Sequence, residues 1–332
     1  MRGQLQERAH LGHGDKTRPG WPGEVGRRHW DRLLECPRNW GRSHRGRYDG
    51  ECRYGSRCDL RADKSRPLTE RKVMTLPRLG GHLIVFGPKY TMENDAEFVL
   101  DQVKEAGYNA IEGGGTGDAD LFKRQLDERG LVCAGVHTSI SRKPDVNELI
   151  AQLQTLECRH LCNSGILGGP ERTVETWRES IAYLNEIGRR LRDAGVAFHY
   201  HNHDYEFDDL GGGTTAMDLL LGELDFAAVD LCVDVGWVHV AGRDPAAFLA
   251  EHREQVGYLH LKDYERTPGK AGREGLTWRE LGNGTVDWDA VMDIMPRLER
   301  VEWALVEQDR TDREPGESLR ISRTFLQARF NY

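Results

Sequence analysis

The sequence lacks any long uninterrupted apolar run and any segment typical of an export signal. Spanning a membrane takes roughly 18 or more consecutive apolar residues, and no run in the 332 residues comes close to that length. A signal peptide needs an apolar core of about 7–15 residues, which the stretch around Arg27-Arg28 does not provide. We therefore expect a soluble cytoplasmic protein that has no membrane partner.

Cysteine is also scarce, and its spacing excludes the common structural zinc sites. None of the 7 cysteines forms a CxxC pair, which the usual zinc-binding modules contain. Cys133, Cys158, Cys162 and Cys232 lie in apolar segments, as buried free thiols do in a reducing compartment. A metal site in this chain is therefore expected to use oxygen and imidazole ligands rather than thiolates.

Acidic and basic residues are unevenly distributed, with a change near Met74. Residues 1–73 contain 18 Lys/Arg and 10 Asp/Glu, a net charge of +8, so the remaining 259 residues carry −16. Residues 1–73 also lack a periodic apolar face, so they cannot bury enough apolar surface to offset the entropy lost on ordering. We predict a disordered basic extension over 1–73 and a single domain over 74–332.

Two interpretations of the extension are open. A basic arm is typical of segments that bind nucleic acid or acidic lipid. Alternatively, translation starts at Met74 and the upstream residues are a mis-assigned start, which is the interpretation we favour. The acidic 74–332 segment argues against a nucleic-acid partner, because binding to phosphates needs basic surface.

After Met74 the sequence alternates short apolar runs with amphipathic segments eight times. Helix signals separate the units, such as the capping residue Asp118 and the stop at Gly195. The predicted strands lie at 81–86, 109–112, 131–137, 159–166, 197–207, 231–234, 257–262 and 303–307. The predicted helices lie at about 93–106, 118–129, 145–156, 174–194, 215–221, 244–255, from 288 onward, and 316–330.

This alternation predicts an α/β fold of the (β/α)8 TIM barrel type. Strands that alternate with helices form parallel sheets with right-handed crossovers, and eight units in 259 residues match the roughly 250 residues of such a barrel. A doubly wound sheet would usually carry a glycine-rich phosphate loop after its first strand. Residues 86–89 do not form such a loop.

The most unusual segment is 197–207, where three histidines interrupt a buried strand. His199, His201 and His203 are spaced two residues apart, so they face one side of an extended chain. His199 lies deeper in the strand and is expected to be structural. His201 and His203 are candidates for the general base, since the unperturbed pKa of histidine, about 6.5, suits that role.

Other strands also end in residues that can bind a metal ion. Because barrel enzymes build their sites from the carboxyl ends of the strands, we expect Asp234, His260 and Glu307 to converge on one divalent ion. Oxygen and imidazole ligands suit Mn²⁺, Mg²⁺, Co²⁺ or Zn²⁺. The candidates for substrate contact at the same ends are Glu112, His137, Trp237 and Lys262. Glu112 and His137 could equally be core residues with satisfied hydrogen bonds.

From Met74 onward the chain resembles the xylose isomerase-like TIM barrels, also called sugar phosphate isomerases/epimerases, which are related to the inosose dehydratases. Residues 1–73 have no counterpart in that pattern. The resemblance is carried, in this order, by Tyr200–Phe207, Asp234–Trp237 with Ala241-Gly242, His260–Asp263, Gly282–Gly284 with Asp287-Trp288, and Val306–Asp309.

The resemblance implies one divalent ion, which we expect to be Mn²⁺, held by a strand-five glutamate together with Asp234, His260 and Glu307. The family's strand-five glutamate would fall near His201. Either His201 takes that ligand position, or Glu206 folds back from the following loop. We predict Glu206 as the ligand, with His201 or His203 as the base and Glu307 contributing to catalysis as well.

The implied function is a divalent-metal-dependent isomerase or epimerase of a sugar or sugar phosphate. It would abstract a proton alpha to a carbonyl and pass through a metal-stabilised enediolate. Epimerases of the family use two metal-binding glutamates, and this chain lacks the one on strand five. A metal-dependent lyase that dehydrates a keto-sugar or inosose is therefore the alternative. The expected partner is a small sugar or cyclitol, and assembly into a homo-oligomer is left open.

The sequence argues against two further classes of protein. Nucleases of the endonuclease IV type share the family's fold but use three zinc ions, and the charge of −16 over 74–332 argues against a duplex-DNA partner. A non-catalytic barrel would not need the Asp234, His260 and Glu307 set.

Overall fold

Eight parallel strands close into a barrel, which confirms the predicted (β/α)8 architecture. The computed structural model describes residues 75–113, 117–167, 172–270 and 273–332. The extension predicted over 1–73 lies outside the described residues. The described residues belong to one unit, Pro67–Tyr332, and no helix among them is long and apolar enough to cross a membrane.

The barrel strands follow one another around the barrel in chain order. They are β1 (Arg78–His82), β2 (Ala110–Gly113), β3 (Val132–Thr138), β4 (His160–Ser164), β5 (Ala197–His201), β6 (Val229–Asp234), β7 (Val256–Leu261) and β10 (Trp303–Val306). Pairing of β1 with both β10 and β2 closes the barrel. An antiparallel hairpin, β8 (Asp263–Arg266) and β9 (Leu276–Arg279), follows β7.

Helices connect the strands on the outside of the barrel. They are α1 (Ala96–Glu105), α2 (Ala119–Glu128), α3 (Val146–Thr155), α4 (Val174–Asp193), α5 (Ala216–Glu223), α6 (Val235–Val240), α7 (Pro245–Glu251), α8 (Trp288–Ile294) and α9 (Pro315–Phe330). The Asp118 side chain accepts the Leu121 N–H and caps α2, as predicted. Gly195 follows α4 with a φ of 79°, a conformation that favours glycine.

Two predicted strands are wrong in their boundaries. The first strand was expected over 81–86, but β1 ends at His82 and Leu83–Phe86 form a 3₁₀ helix. The run 83–86 is apolar because three of its four side chains are buried against the core, and burial alone does not distinguish a strand from a helical turn. Strand five ends at His201, and Tyr205–Phe207 form a second 3₁₀ helix.

The barrel contains an inner cluster that is distinct from the larger apolar layer between sheet and helices. The inner cluster consists of Ala110, Ala134, Cys162, Cys232, Tyr258, Trp303 and Leu305. Near it, His160 Nδ1 lies 3.0 Å from His199 Nε2, so His199 is a buried structural residue as expected. Cys133, Cys158, Cys162 and Cys232 are free thiols.

Asp263, at the start of the β8–β9 hairpin, organises the loop that leads into α8. Its carboxylate accepts six hydrogen bonds, from the backbone N–H groups of Tyr264, Gly282, Gly284, Thr285 and Val286 and from Trp288 Nε1. A Cβ atom at Gly284 would lie 2.0 Å from Asp263 Oδ1, so only glycine fits there. The Asp263 and Gly282–Gly284 motifs therefore form one structural unit.

Candidate active site

Four side chains from adjacent strands meet at the carboxyl end of the barrel. His201 ends β5, Asp234 ends β6, His260 lies in β7, and Glu307 follows β10. In the strand register, Asp234 is paired with His260. His260 is paired in turn with Leu305, which lies two residues before Glu307. Each residue offers one ligand atom, and these atoms lie within 4.8 Å of one another. All four side chains are buried.

The atoms that face this point are suited to a cation. Asp234 Oδ2, His260 Nδ1 and Glu307 Oε2 are buried and have no hydrogen bond of acceptable geometry among the described residues. His260 Nδ1 nevertheless lies 2.5 Å from Glu307 Oε2, and Asp234 Oδ2 lies 3.1 Å from Lys262 Nζ. Unsatisfied buried polar atoms are costly, and a shared divalent ion would satisfy all three. The donor set of two carboxylates and two imidazoles therefore fits a divalent metal ion.

Glu112, which lies on β2, orients the metal-binding side of His260. Glu112 Oε2 lies 2.9 Å from His260 Nε2. Burial raises the pKa of Glu112, but the neighbouring His260 and His137 outweigh it and hold that pKa well below its usual value. An ionised carboxylate only accepts hydrogen bonds, so His260 Nε2 carries a proton. Burial lowers the pKa of His260, but Cys232, Glu112 and Glu307 hold it well above its usual value, so a metal ion that binds at Nδ1 would displace a proton there. This carboxylate–histidine arrangement is typical of metal sites.

A second group of potential ligands surrounds Glu112 but fits a hydrogen-bond network better. His82, Glu112, His137 and His260 also place ligand atoms within 4.8 Å of one another. His82 Nδ1 accepts the Ile84 N–H at 3.0 Å, so in neutral His82 the proton is on Nε2. That nitrogen lies 3.6 Å from Glu112 Oε1, beyond hydrogen-bond distance, and has no hydrogen-bond partner among the described residues. Cys162, which groups with Cys232 and His260, has a pKa raised well above its usual value by burial, so it is not a thiolate.

Lys262 occupies the same region as the four potential ligands. Its Nζ atom lies 3.1 Å from Asp234 Oδ2, 2.8 Å from Glu307 Oε1 and 3.1 Å from Asp309 Oδ1. Burial lowers the pKa of Lys262, but these three carboxylates hold it far above its usual value. These contacts indicate that Lys262 orients the acidic ligands, whereas substrate contact was predicted for it.

The prediction that Glu206 completes the metal site is not supported by the geometry. Glu206 is buried, and its carboxylate accepts hydrogen bonds from Tyr200 Oη at 2.7 Å and from the His203 N–H at 2.8 Å. Both bonds form because the chain turns directly after β5, which directs Glu206 back to its own strand. The ligand grouping contains His201 in its place. The alternative considered for strand five, with His201 as the ligand, is thus the one the structure favours.

His203 and Trp237 line the mouth beside the four ligands. Their ring centroids are 5.5 Å apart, and His203 also lies 4.8 Å from the His201 ring. His203 Nδ1 and Trp237 Nε1 have no hydrogen-bond partner among the described residues. Burial lowers the pKa of His203 to about 3, so this imidazole is neutral at neutral pH. The Nδ1 atom of a neutral imidazole and an indole N–H therefore lie buried and unpaired beside the four potential ligands.

Glu112 and His137 were both predicted to contact the substrate, but they differ in their exposure to solvent. Glu112 is fully buried beneath His137, and both of its oxygens face histidines. His137 is partly exposed and lines a cavity of about 1240 Å³ at the ends of the first strands. Only His137 of these two is accessible from the mouth.

The sequence predicted that the segments 164–171 and 266–277 line the mouth but assigned no individual role to the residues in them. Ser164 ends β4 and lies 3.1 Å from His137 Nε2. Trp278 of β9 lies 4.7 Å from the Trp237 ring, and Arg273 forms an ion pair with Asp204. Ser164 could have been found from its place at the end of a predicted strand. The other contacts depend on how the β8–β9 hairpin folds over the mouth, which has no signal in the sequence.

Comparison with known proteins places this geometry in context. The sequence model of the xylose isomerase-like TIM barrel family matches residues 100–329. An inosose dehydratase from Lacticaseibacillus casei is 23% identical over an alignment of 282 positions, which covers 74% of this chain and 93% of that protein.

Two solved structures have the same fold. A sugar phosphate isomerase/epimerase from Parabacteroides distasonis superposes with a TM-score of 0.62 at 18% identity, covering 76% of this chain and 98% of that one. A xylose isomerase-like TIM barrel protein from Mycobacterium smegmatis, solved in complex with magnesium, has a TM-score of 0.59 at 16% identity, covering 76% and 96%.

Proposed function

Because the chain belongs to the xylose isomerase-like TIM barrel family, we propose that it is a divalent-metal-dependent dehydratase of a keto-sugar or keto-cyclitol such as an inosose. The observation that supports this proposal is the convergence of His201, Asp234, His260 and Glu307 beside an unpaired imidazole, His203. Inosose dehydratases that match most of this chain's length agree with it.

His201, Asp234, His260 and Glu307 would hold the ion, with Mn²⁺ as our prediction for its identity. When bound there, a divalent ion polarises the substrate carbonyl and stabilises the negative charge that develops on its oxygen. Glu112 contacts the proposed ligand His260, and Lys262 contacts the proposed ligands Asp234 and Glu307. These contacts orient the ligand side chains.

His203 is the general base in this proposal. Its Nδ1 atom is unpaired, and it adjoins the ring of the proposed ligand His201. The lowered pKa of His203 keeps its imidazole unprotonated but makes it a weaker base than an exposed histidine. It would take the proton alpha to the carbonyl. Trp237, which offers an unpaired indole N–H, would bind a substrate hydroxyl. His201 was a candidate for the base as well, but its place among the ligands makes it unavailable for that role.

Dehydration is preferred over epimerisation because of His201. Epimerisation by two metal-binding glutamates needs a carboxylate on strand five, and the carboxylate nearest that position, Glu206, is bonded to Tyr200 and His203. A single histidine base on one side of the substrate suits proton abstraction followed by loss of a hydroxyl group from the neighbouring carbon.

Isomerisation or epimerisation of a sugar is the second candidate. The fold shared with a sugar phosphate isomerase/epimerase favours it, and both reactions begin with the same proton abstraction. In that case His203 would return its proton to carbon rather than lose it to solvent. A small sugar or cyclitol is the proposed partner in either case, and a homo-oligomer and a cytoplasmic location stay predictions.

The test is a panel of inososes and ketose sugars incubated with the Mn²⁺-loaded protein in deuterium oxide. We expect water loss from an inosose, together with deuterium at the carbon alpha to the carbonyl. Deuterium incorporation into a ketose without water loss would replace the dehydratase by an isomerase. Three tightly bound zinc ions per chain would instead favour a nuclease, and no bound ion a non-catalytic barrel.

A further inference from the structure

Four large apolar side chains are strongly exposed in the described part of the chain, and three of them line the same cavity. Ile84 is 41% exposed, Phe98 45% and Leu121 44%. They line the cavity of about 1240 Å³ that also reaches His137. The fourth, Val132, is 43% exposed and lies away from the cavity lining. Exposed apolar side chains that cluster in a concave surface mark a binding site, whereas scattered ones need no explanation.

The fold brings these three side chains to the end of the barrel that carries the proposed metal site. Ile84 belongs to the 3₁₀ helix that follows β1. Phe98 lies in the first turn of α1, and Leu121 lies in the first turn of α2, where its N–H is bonded to the Asp118 side chain. Helices that follow barrel strands begin at the carboxyl ends of those strands. The apolar side chains therefore surround an opening at the carboxyl ends of β1 and β2.

The inner end of the cavity adjoins the proposed ligands. His82 and His137 both line it. The His82 ring lies 5.3 Å from the His260 ring, and the His137 ring lies 5.3 Å from the His201 ring. One layer of side chains thus separates the cavity from the ligand group. A substrate bound at the proposed metal site can extend a substituent into the cavity.

The cavity is larger than a free sugar or cyclitol requires. Pockets that hold drug-sized ligands measure about 300–1,000 Å³, and this cavity has about 1240 Å³. A free cyclitol also presents hydroxyl groups in every direction, which would leave Ile84, Phe98 and Leu121 without an apolar partner. Size and lining together indicate a substrate that carries an additional apolar group.

The charged side chains of the cavity restrict the nature of that group. Among the described residues, no lysine or arginine lines the cavity, and its charged lining residues are the acids Glu93, Asp95, Glu97 and Asp118. Carboxylates of one sign repel a phosphate or carboxylate on the substrate. A strongly hydrated cation would lose solvation against the apolar side chains. The cavity therefore favours an uncharged group.

We propose that this cavity binds an uncharged apolar group, such as an aryl group, that is attached through oxygen to the keto-sugar or keto-cyclitol; this rests on the proposed function. The substrate class is then a glycoside or ether rather than a free or phosphorylated sugar. The ring of the substrate lies at the proposed metal site, and its apolar group contacts Ile84, Phe98 and Leu121.

The first experiment compares three kinds of substrate for the full-length, Mn²⁺-loaded protein. They are a free inosose, a set of its mono-O-benzyl ethers with one ether for each hydroxyl position, and its phosphate ester. We expect kcat/KM for elimination to be about 10-fold higher for the best benzyl ether than for the free inosose, the gain expected when part of a phenyl group is taken out of water. The phosphate ester should react no faster than the free inosose.

Substitutions in the cavity show where the preference arises. Phe98→Ser and Leu121→Ser should bring the ratio of the two kcat/KM values close to one, and Phe98→Leu, which keeps an apolar side chain, should retain most of the preference. Val132→Ser is the matched control, because it removes an equally exposed apolar side chain outside the cavity. It should leave the ratio unchanged. Circular dichroism checks that each variant is folded, as expected for substitutions at exposed positions.

The outcomes separate this proposal from the proposed function. If the free inosose reacts and no benzyl ether reacts faster, or if Val132→Ser lowers the ratio as much as Phe98→Ser does, the substrate class is wrong and the dehydratase function stands. If neither the free inosose nor any ether reacts, the proposed function fails and the substrate class fails with it. A wild-type ratio near one, together with a dimer that dissociates in Phe98→Ser, would make the cavity a contact between copies of the chain and would overturn the proposal.

Discussion

Glu112 shows how one buried side chain can determine the chemistry of several others. It accepts from His137 and His260, residues that are 25 and 148 positions away in the sequence. In doing so it sets which nitrogen of each imidazole carries a proton. The other nitrogen of His260, Nδ1, faces Glu307 and the proposed ion, and the other nitrogen of His137, Nε2, faces Ser164 Oγ.

The fourth ligand can be decided by two single substitutions. We expect His201→Asn to lose the tightly bound Mn²⁺ ion, because His201 belongs to the ligand group, and Glu206→Gln to keep it, because Glu206 bonds to Tyr200 and His203. Metal content after dialysis provides the measurement. Asp234→Ala, His260→Ala and Glu307→Ala serve as positive controls and should each abolish tight binding with secondary structure retained. If His201→Asn keeps the ion and Glu206→Gln loses it, Glu206 is the ligand after all.

Glu206 should also make stability depend on pH. Burial raises its pKa to about 7, so the folded state holds a proton that the unfolded chain releases near the usual value of about 4.3. The contribution of Glu206 to the free energy of unfolding is therefore fully present below about pH 4. It decreases by roughly 3 kcal/mol as the pH rises through 7. Glu206→Gln cannot titrate and should lack this loss.

Urea unfolding of the wild type and Glu206→Gln, at pH 5 and at pH 8, measures the effect. The difference between the two proteins isolates Glu206 from the other titrating groups. A difference that is the same at both pH values would show that Glu206 titrates normally.

At the scale of secondary-structure elements, four strands each contribute one residue, at or next to the strand end, to the proposed metal site, and the β8–β9 hairpin follows β7 beside them. Asp263 holds the hairpin and the following loop together through six hydrogen bonds. Lys262, the residue before it, contacts Asp234, Glu307 and Asp309. The two residues after β7 thus contact different parts of the barrel: Lys262 contacts residues of the proposed metal site, and Asp263 contacts the loop before α8 and Trp288 of α8 itself.

Removing the Asp263 carboxylate should destabilise the protein strongly. Asp263→Ala leaves several backbone N–H groups of 282–286 without an acceptor, and breaking a buried hydrogen-bond network of this kind costs about 3–5 kcal/mol. Asp244→Ala is a matched control, because it removes only the cap of α7 and should cost about 1 kcal/mol. Denaturant unfolding compares them, and an Asp263→Ala loss no larger than that of Asp244→Ala would contradict this role.

For the whole molecule, the closed barrel lies entirely within the domain predicted over 74–332. The first strand begins at Arg78 and pairs with both β2 and β10, so the described residues already complete the ring. The charge of this region is −16, opposite in sign to the +8 of residues 1–73.

We therefore predict that a shortened chain starting at Met74 folds and binds metal like the full chain. Its melting temperature should agree with that of the full chain to within a few degrees, and it should bind the same single divalent ion. Thermal unfolding and metal analysis of the two chains provide the comparison. Insolubility of the shortened chain, or a much lower melting temperature, would mean that residues 1–73 belong to the fold.

The sequence by itself determined the barrel and predicted three members of the proposed ligand group, because both follow from local patterns. Helix and strand periodicities repeat eight times along the chain. Asp234, His260 and Glu307 lie at or near strand ends, and this position can be read from the sequence without knowing the order of the strands around the barrel. The tertiary structure decided what depends on turns and on strand register. It ends β5 at His201, turns Glu206 back onto Tyr200, and brings Ser164 to His137. These outcomes depend on which side chains face each other across a closed sheet, and periodicity along one chain carries no information about that.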